Sequence, residues 1–113
     1  MSVALRVERE AGRLLAVEDG QTVGFIAYFV LDAEPHALVA VHTVVEPGHE
    51  GRGIAGELVE GFYGIAAAEG VPVVPLCPYA ARWAARHPEQ APPAPDALVE
   101  AAKARLRADP ASR

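Results

Sequence analysis

Residues 50–56 read Glu50-Gly51-Arg52-Gly53-Ile54-Ala55-Gly56, three glycines set between an apolar run and a helical pattern. A helix amino terminus carries unpaired N–H groups and a partial positive charge, and glycines let an anion reach the backbone unobstructed. The stretch is therefore an anion cradle by composition, although the same residues also suit a turn that only starts a helix. Read literally, Gly51 to Gly56 fits the dinucleotide fingerprint GxGxxG. That fingerprint needs its first glycine directly after a strand and a carboxylate at the end of the next strand. Here five residues separate Val45 from Gly51, and the next apolar run ends in Leu76-Cys77-Pro78. A Walker A loop is excluded as well, because no Gly-Lys-Ser/Thr occurs.

The elements that must hold this loop follow from hydrophobic periodicity. Residues 3–10 and 13–18 alternate apolar and polar around Ala11-Gly12, which predicts two short strands joined by a hairpin. The run at 22–31 is too apolar to face water on one side and predicts a central strand; DAEPH (32–36) breaks it, and 37–45 predicts a fourth strand. After the loop at 46–50, Ile54, Leu58, Phe62 and Ile65 recur at helical spacing, so a helix is expected from Gly53 to about Glu69 with Gly70 as its stop. Residues 71–76 predict a fifth strand in which Pro72 and Pro75 each lack a donor, so one side of it should be unpaired. Pro78 closes that strand, and YAARWAARHPE predicts a second helix ending near Pro88. His87 suits the carboxyl end of that helix. Residues 90–95 (QAPPAP) read as a rigid linker, and Asp96 can N-cap a last helix from Ala97 to about Ala108, with a narrow stripe of Leu98, Ala102 and Leu106. The expected fold is α+β, a mixed α/β sheet in the order ββββαβα with an extra C-terminal helix. Residues 1–90 form the domain, and 91–113 its linker and helical tail.

At 113 residues and 11.9 kDa the chain has room for one core. Its 23 alanines against seven aromatics predict a core of small and β-branched side chains around Phe25, Phe29, Phe62 and Trp83. Residues 1–51 carry eight acids and three bases, whereas 52–113 carry seven of each, for a net charge of −5. A nucleic-acid binder normally shows a basic stripe, so no nucleic-acid partner is expected and a cationic or neutral one fits better. The single cysteine, Cys77, makes no internal disulfide and belongs to no zinc pattern, so no metal is expected and a cytoplasmic location is the simple reading. No window approaches the length of a spanning helix and no signal peptide opens the chain, so no membrane role is expected.

The order of blocks across residues 3–90 resembles the minimal, single-domain Gcn5-related N-acetyltransferases. The matching residues are His42-Thr43, Val45, Glu50 to Ala55, Leu58-Val59, Val74-Pro75-Leu76-Cys77-Pro78 and Arg86-His87-Pro88-Glu89. The wider superfamily carries Arg/Gln-x-x-Gly-x-Gly/Ala at the loop. Gly53 and Ala55 take its last two places, while Glu50 stands where Arg or Gln is usual. The resemblance implies a sheet splayed between its fourth and fifth strands, with acetyl-CoA (coenzyme A) as cofactor entering the gap. Thr43, Val44 and Val45 would pair with its pantetheine arm. Gly51, Arg52, Gly53, Ile54, Ala55 and Gly56 would hold its diphosphate beside Glu50. Arg52 either touches phosphate or is simply solvated.

The resemblance also implies transfer of an acetyl group to a primary amine: a protein lysine, a polyamine or a small amine. That chemistry needs a neutral nucleophile, a polarised thioester and a proton for the departing thiolate. Cys77 is the first catalytic candidate, as acid or as nucleophile, against the ordinary reading of an inert buried thiol. His42 is the second, against a structural histidine. Family members often carry Glu where this chain has Val44; either Glu46, on the same strand face as His42, substitutes as base, or the amine arrives already deprotonated. Tyr79 is a possible phenolic donor, with a core-facing ring as the ordinary reading. Because the chain begins directly with strands, the acceptor site is expected to be open or completed by a second protomer, as in a homodimer. The other reading of the same residues is a CoA-binding or protein-interaction module without turnover.

Overall fold

A computed structural model describes residues 3–31 and 36–108; of the break expected at 32–36, all but His36 lies outside the described residues. Strands β1 (Ala4–Glu8), β2 (Arg13–Glu18), β3 (Gln21–Leu31) and β4 (Ala37–Val45) form an antiparallel meander, and β5 (Val73–Pro75) lies parallel to β4. Helix α1 (Ile54–Glu69) joins β4 to β5, and α2 (Pro78–Arg86) and α3 (Asp96–Ala108) follow. The α+β mixed sheet and its element order are those expected. Between β2 and β3 the turn is two residues long, and Asp19 (φ 52°) and Gly20 (φ 79°) both adopt the left-handed backbone that such tight hairpins require.

Helices cover both faces of the sheet. Leu14, Ile26 and Leu38 pack against Leu58 and Phe62 of α1 and Trp83 of α2, while Leu31, Val39 and Val74 pack on the other face against Leu98 and Ala102 of α3. The narrow stripe of α3 is thus sufficient to seat it on the sheet. Of the four expected aromatic anchors, Phe62 and Trp83 are buried. Phe25 and Phe29 are only half-buried, each beneath a guanidinium, Arg13 and Arg105 respectively. Tyr28 and Tyr63 complete the core instead, Tyr28 edge-on to Phe62 and Tyr63 stacked on Trp83. His87 caps α2 as expected, its Nδ1 hydrogen-bonded to the Trp83 carbonyl at 2.8 Å and its ring stacked on the indole.

Two departures shape the site. The fifth strand is three residues long, shorter than the expected 71–76: Pro72 has no N–H to extend the ladder backwards, and Pro78 turns the chain into a helix just after Leu76 and Cys77 bond to Ala40. In β4, the partners of Ala27 and Tyr28 are His42 and Ala40, so Val41 is an extra, bulged residue. A bulge shifts the alternation by one. Leu38 and Ala40 face α1 before it, and Thr43 and Val45 face α1 after it.

Helix α1 approaches the sheet at Gly24. A Cβ there would lie 2.9 Å from the Val44 carbonyl oxygen and 3.3 Å from side-chain carbons of both Ile54 and Leu58. The first turns of α1 are therefore seated on bare backbone. Gly24→Ala should lower the unfolding free energy by about 1–3 kcal/mol through overpacking, read as a lower urea midpoint at unchanged slope.

Candidate active site

The β4–β5 ladder runs only from Leu38–Val73 to Ala40–Pro75. At its end the Ala40 carbonyl accepts the amides of both Leu76 (3.0 Å) and Cys77 (3.1 Å). Beyond that point Pro78 starts α2 and turns the chain away, so among the described residues the edge of β4 from Val41 to Val45 faces no strand. Cys77 stands at the apex of this gap, 5% exposed, with its Sγ 3.4 Å from the Thr43 Oγ1. That hydrogen bond is the one direct side-chain link between the diverging strands among the described residues.

Across the gap lies the glycine loop. Gly51 (φ 82°) and Gly53 (φ 81°) are both left-handed, and nothing lies within 4 Å of where either Cβ would be. Gly53 occupies the N-cap of α1 without a side-chain cap, and the first amide to bond is that of Glu57, to the Gly53 carbonyl at 3.1 Å. Among the described residues the amides of Gly51 through Gly56 donate to no backbone carbonyl. These are the orphan donors that every helix start presents. They border an open cleft of about 490 Å³, to which β4 contributes Thr43 and Val45, the loop His49 and Glu50, and α2 Tyr79.

The electrostatics of the loop are set from a distance. Arg52 turns away from the cleft and makes two hydrogen bonds with Glu18 at the end of β2, Nη1 to Oε1 at 3.1 Å and Nη2 to Oε2 at 2.5 Å. The hydrogen bond from Arg52 holds the Glu18 carboxyl below its usual range; partial burial opposes this, and the charges of Arg52 and His49 reinforce it. The same hydrogen bond pushes the Arg52 guanidinium up. His49 lies between the two, its Nε2 4.0 Å from Glu18 and its Nδ1 buried without a partner among the described residues.

The structure gathers most of the expected cofactor residues. Thr43, Val45, Glu50, Gly51, Gly53, Ile54 and Ala55 line one cleft, and Cys77 touches its Thr43 wall. Arg52 and Gly56 do not line it, and the Val44 side chain, 37% exposed, faces the opposite side of the sheet. His42, also exposed, shares that opposite face, and Glu46 lies with Arg13, Leu15 and Phe25 at a second recess of about 370 Å³. The expected catalytic residues are thus divided, Cys77 within the sheet gap and His42 and Glu46 beyond it. His49 was passed over within its loop, although its position two residues before Gly51 was the available signal. Glu18 gave none, being 34 residues from Arg52.

Over residues 13–92 the chain matches the family described as GCN5-related N-acetyl-transferase. It belongs to that family. Among solved structures it resembles an aminoglycoside acetyltransferase from an uncultured soil metagenomic sample, with 29% identity and a TM-score of 0.51 over 57% of this chain. It also resembles a ribosomal-protein-alanine N-acetyltransferase from Brucella melitensis biovar Abortus 2308, with 24% identity and a TM-score of 0.59 over 74% of this chain; this likeness concerns the fold. The chain spans 44% of the first of these proteins and 62% of the second. A comparison with curated proteins gives no match.

Because Gly53 has open space around its missing Cβ, a substitution there tests backbone conformation alone. Gly53→Ala should cost about 1–2 kcal/mol of stability in urea unfolding, and Gly53→Asn less, since Asn tolerates the left-handed region.

Proposed function

We propose that this chain is an acetyl-CoA-dependent N-acetyltransferase that acts on a primary amine. The observation that carries this reading is the meeting, in one cleft, of uncapped α1 amides, an unpaired strand edge and a thiol at the apex of the gap. The residues fit the cofactor. Unbonded amides beside two side-chain-free glycines suit a diphosphate, and a free β4 edge suits the amide-bearing pantetheine arm. Acetyl-CoA, when bound, supplies the activated acyl group.

The chain's own residues do the rest. The amides of Gly51 to Gly56 hold the diphosphate, and the β4 edge at Thr43, Val44 and Val45 aligns the arm toward Cys77. Fixed geometry of this kind supplies much of the rate in group transfer. Thr43 Oγ1 orients the Cys77 Sγ, whose proton is available to a departing thiolate. The contact of Cys77 is the Thr43 hydroxyl, not a carboxylate, so the amine arrives neutral or loses its proton on the far face, where His42 and Glu46 stand. The acids of the amino-terminal half favour a cationic acceptor such as a lysine or a polyamine. The aminoglycoside acetyltransferase among the similar structures is compatible with an amine acceptor.

One observation favours the second reading, a CoA-binding module without turnover: His42 and Glu46 lie on the face away from Cys77. Release of free CoA thiol from acetyl-CoA in the presence of peptide lysines, polyamines and small amines separates the two. Amine-dependent release supports the enzyme, and binding without release supports the module. For the enzyme, Cys77→Ala should leave CoA affinity within about twofold and slow transfer by roughly 10²–10⁴-fold, the usual range for a lost general acid.

A further inference from the structure

Arg52 is the only arginine or lysine between residues 46 and 57, yet it is bound to Glu18 instead of facing the cleft. We propose that Glu18 is a built-in competitor for the phosphates, a carboxylate that holds Arg52 off the cradle until the ligand's phosphate displaces it. This rests on the reading of the cleft as a CoA site.

Three observations support the exchange. The first is the contact itself, a two-pronged guanidinium–carboxylate pair of the geometry that guanidinium also makes with phosphate. Arg52 lies between Gly51 and Gly53, so its backbone is already at the cradle and only its side chain must swing. Secondly, the arginine end of the pair is accessible, the Arg52 side chain being 41% exposed against 17% for Glu18, and an ion pair open on one side is weak enough to trade partners. The diphosphate as a unit carries two negative charges against one on the carboxylate, so the trade runs toward the ligand. Thirdly, Glu18 is not left bare by the exchange. It is fixed by the tight Asp19-Gly20 hairpin and keeps the His49 ring, whose Nε2 already lies 4.0 Å from it.

The charge balance explains why this matters. Glu50 lines the cleft and Glu57 sits in the first turn of α1, so with Arg52 neutralised by Glu18 the cradle presents orphan amides ringed by carboxylates. A polyanionic ligand meets that repulsion unless Arg52 is released. Glu18 therefore weakens binding and makes it sensitive to ionic strength.

The test is isothermal titration calorimetry of CoA into the wild-type chain and into Glu18→Gln, Arg52→Gln and the double variant, at low and at high salt. Pantetheine, which lacks phosphates, serves as the control ligand. Glu18→Gln should bind CoA roughly three- to tenfold more tightly at low salt, with a smaller gain at high salt. The gain should vanish in the double variant, and pantetheine binding should not change. Unchanged or weaker CoA binding by Glu18→Gln overturns the proposal and assigns Glu18 to anchoring the loop. A gain that survives in the double variant also overturns it, since Arg52 is then not the agent. If the wild-type chain takes up no CoA, the cleft is not a CoA site and both this proposal and the reading beneath it fail.

Discussion

The carbonyl oxygen of Ala40 accepts two amides, those of Leu76 and Cys77, and the rest of the site depends on that junction. It ends the one parallel pair of the sheet among the described residues. Had the ladder continued, β5 would have covered the edge of β4 and closed the gap. Pro78 prevents this by beginning a helix immediately after Cys77. A parallel strand pair needs a crossover between its members, and here that crossover is α1. The termination that opens the gap therefore also brings a helix amino terminus to its mouth.

Two backbone details convert this opening into a cleft with a defined lining. The bulge at Val41 turns Thr43 and Val45 toward α1, which makes the Thr43–Cys77 contact possible. Gly24 lets the first turns of α1 settle onto β3, which brings the loop of residues 46–53 close to the end of β4. The stability of the fold and the shape of the cleft share these residues. Charge enters separately, through the Glu18–Arg52–His49 cluster at the rim, which touches neither core.

Much of this was legible in the sequence, and what was not had a common cause. The meander could be read from period-two runs, α1 from Ile54, Leu58 and Phe62, and its end from Gly70, because each signal lies within one element. The glycine loop, the PLCP turn and their order were enough to place the chain in its family. The bulge was not legible, since ALVAVHTVV is uniformly apolar where the register slips and only pairing with β3 reveals it. Strand β5 was read too long because an apolar run says nothing of where a partner strand leaves. Glu18 and Arg52 are joined only by the fold, across 34 residues, and no local pattern marks either as the other's partner. The seating of α3 was similarly hidden, because it needs the docking surface of Val39, Val41 and Val74 that its thin stripe meets.

The central claim is that the gap beyond Ala40 and the amides of Gly51 to Gly56 form one binding site. An amide chemical-shift titration of the labelled protein with CoA tests it residue by residue. The account predicts that Gly51 to Gly56 and Thr43 to Val45 shift together, on one binding curve that also moves Cys77, while Leu98 and Ala102 of α3 stay in place. Largest shifts on the face of His42 and Glu46, or none in the glycine loop at saturating CoA, would contradict it.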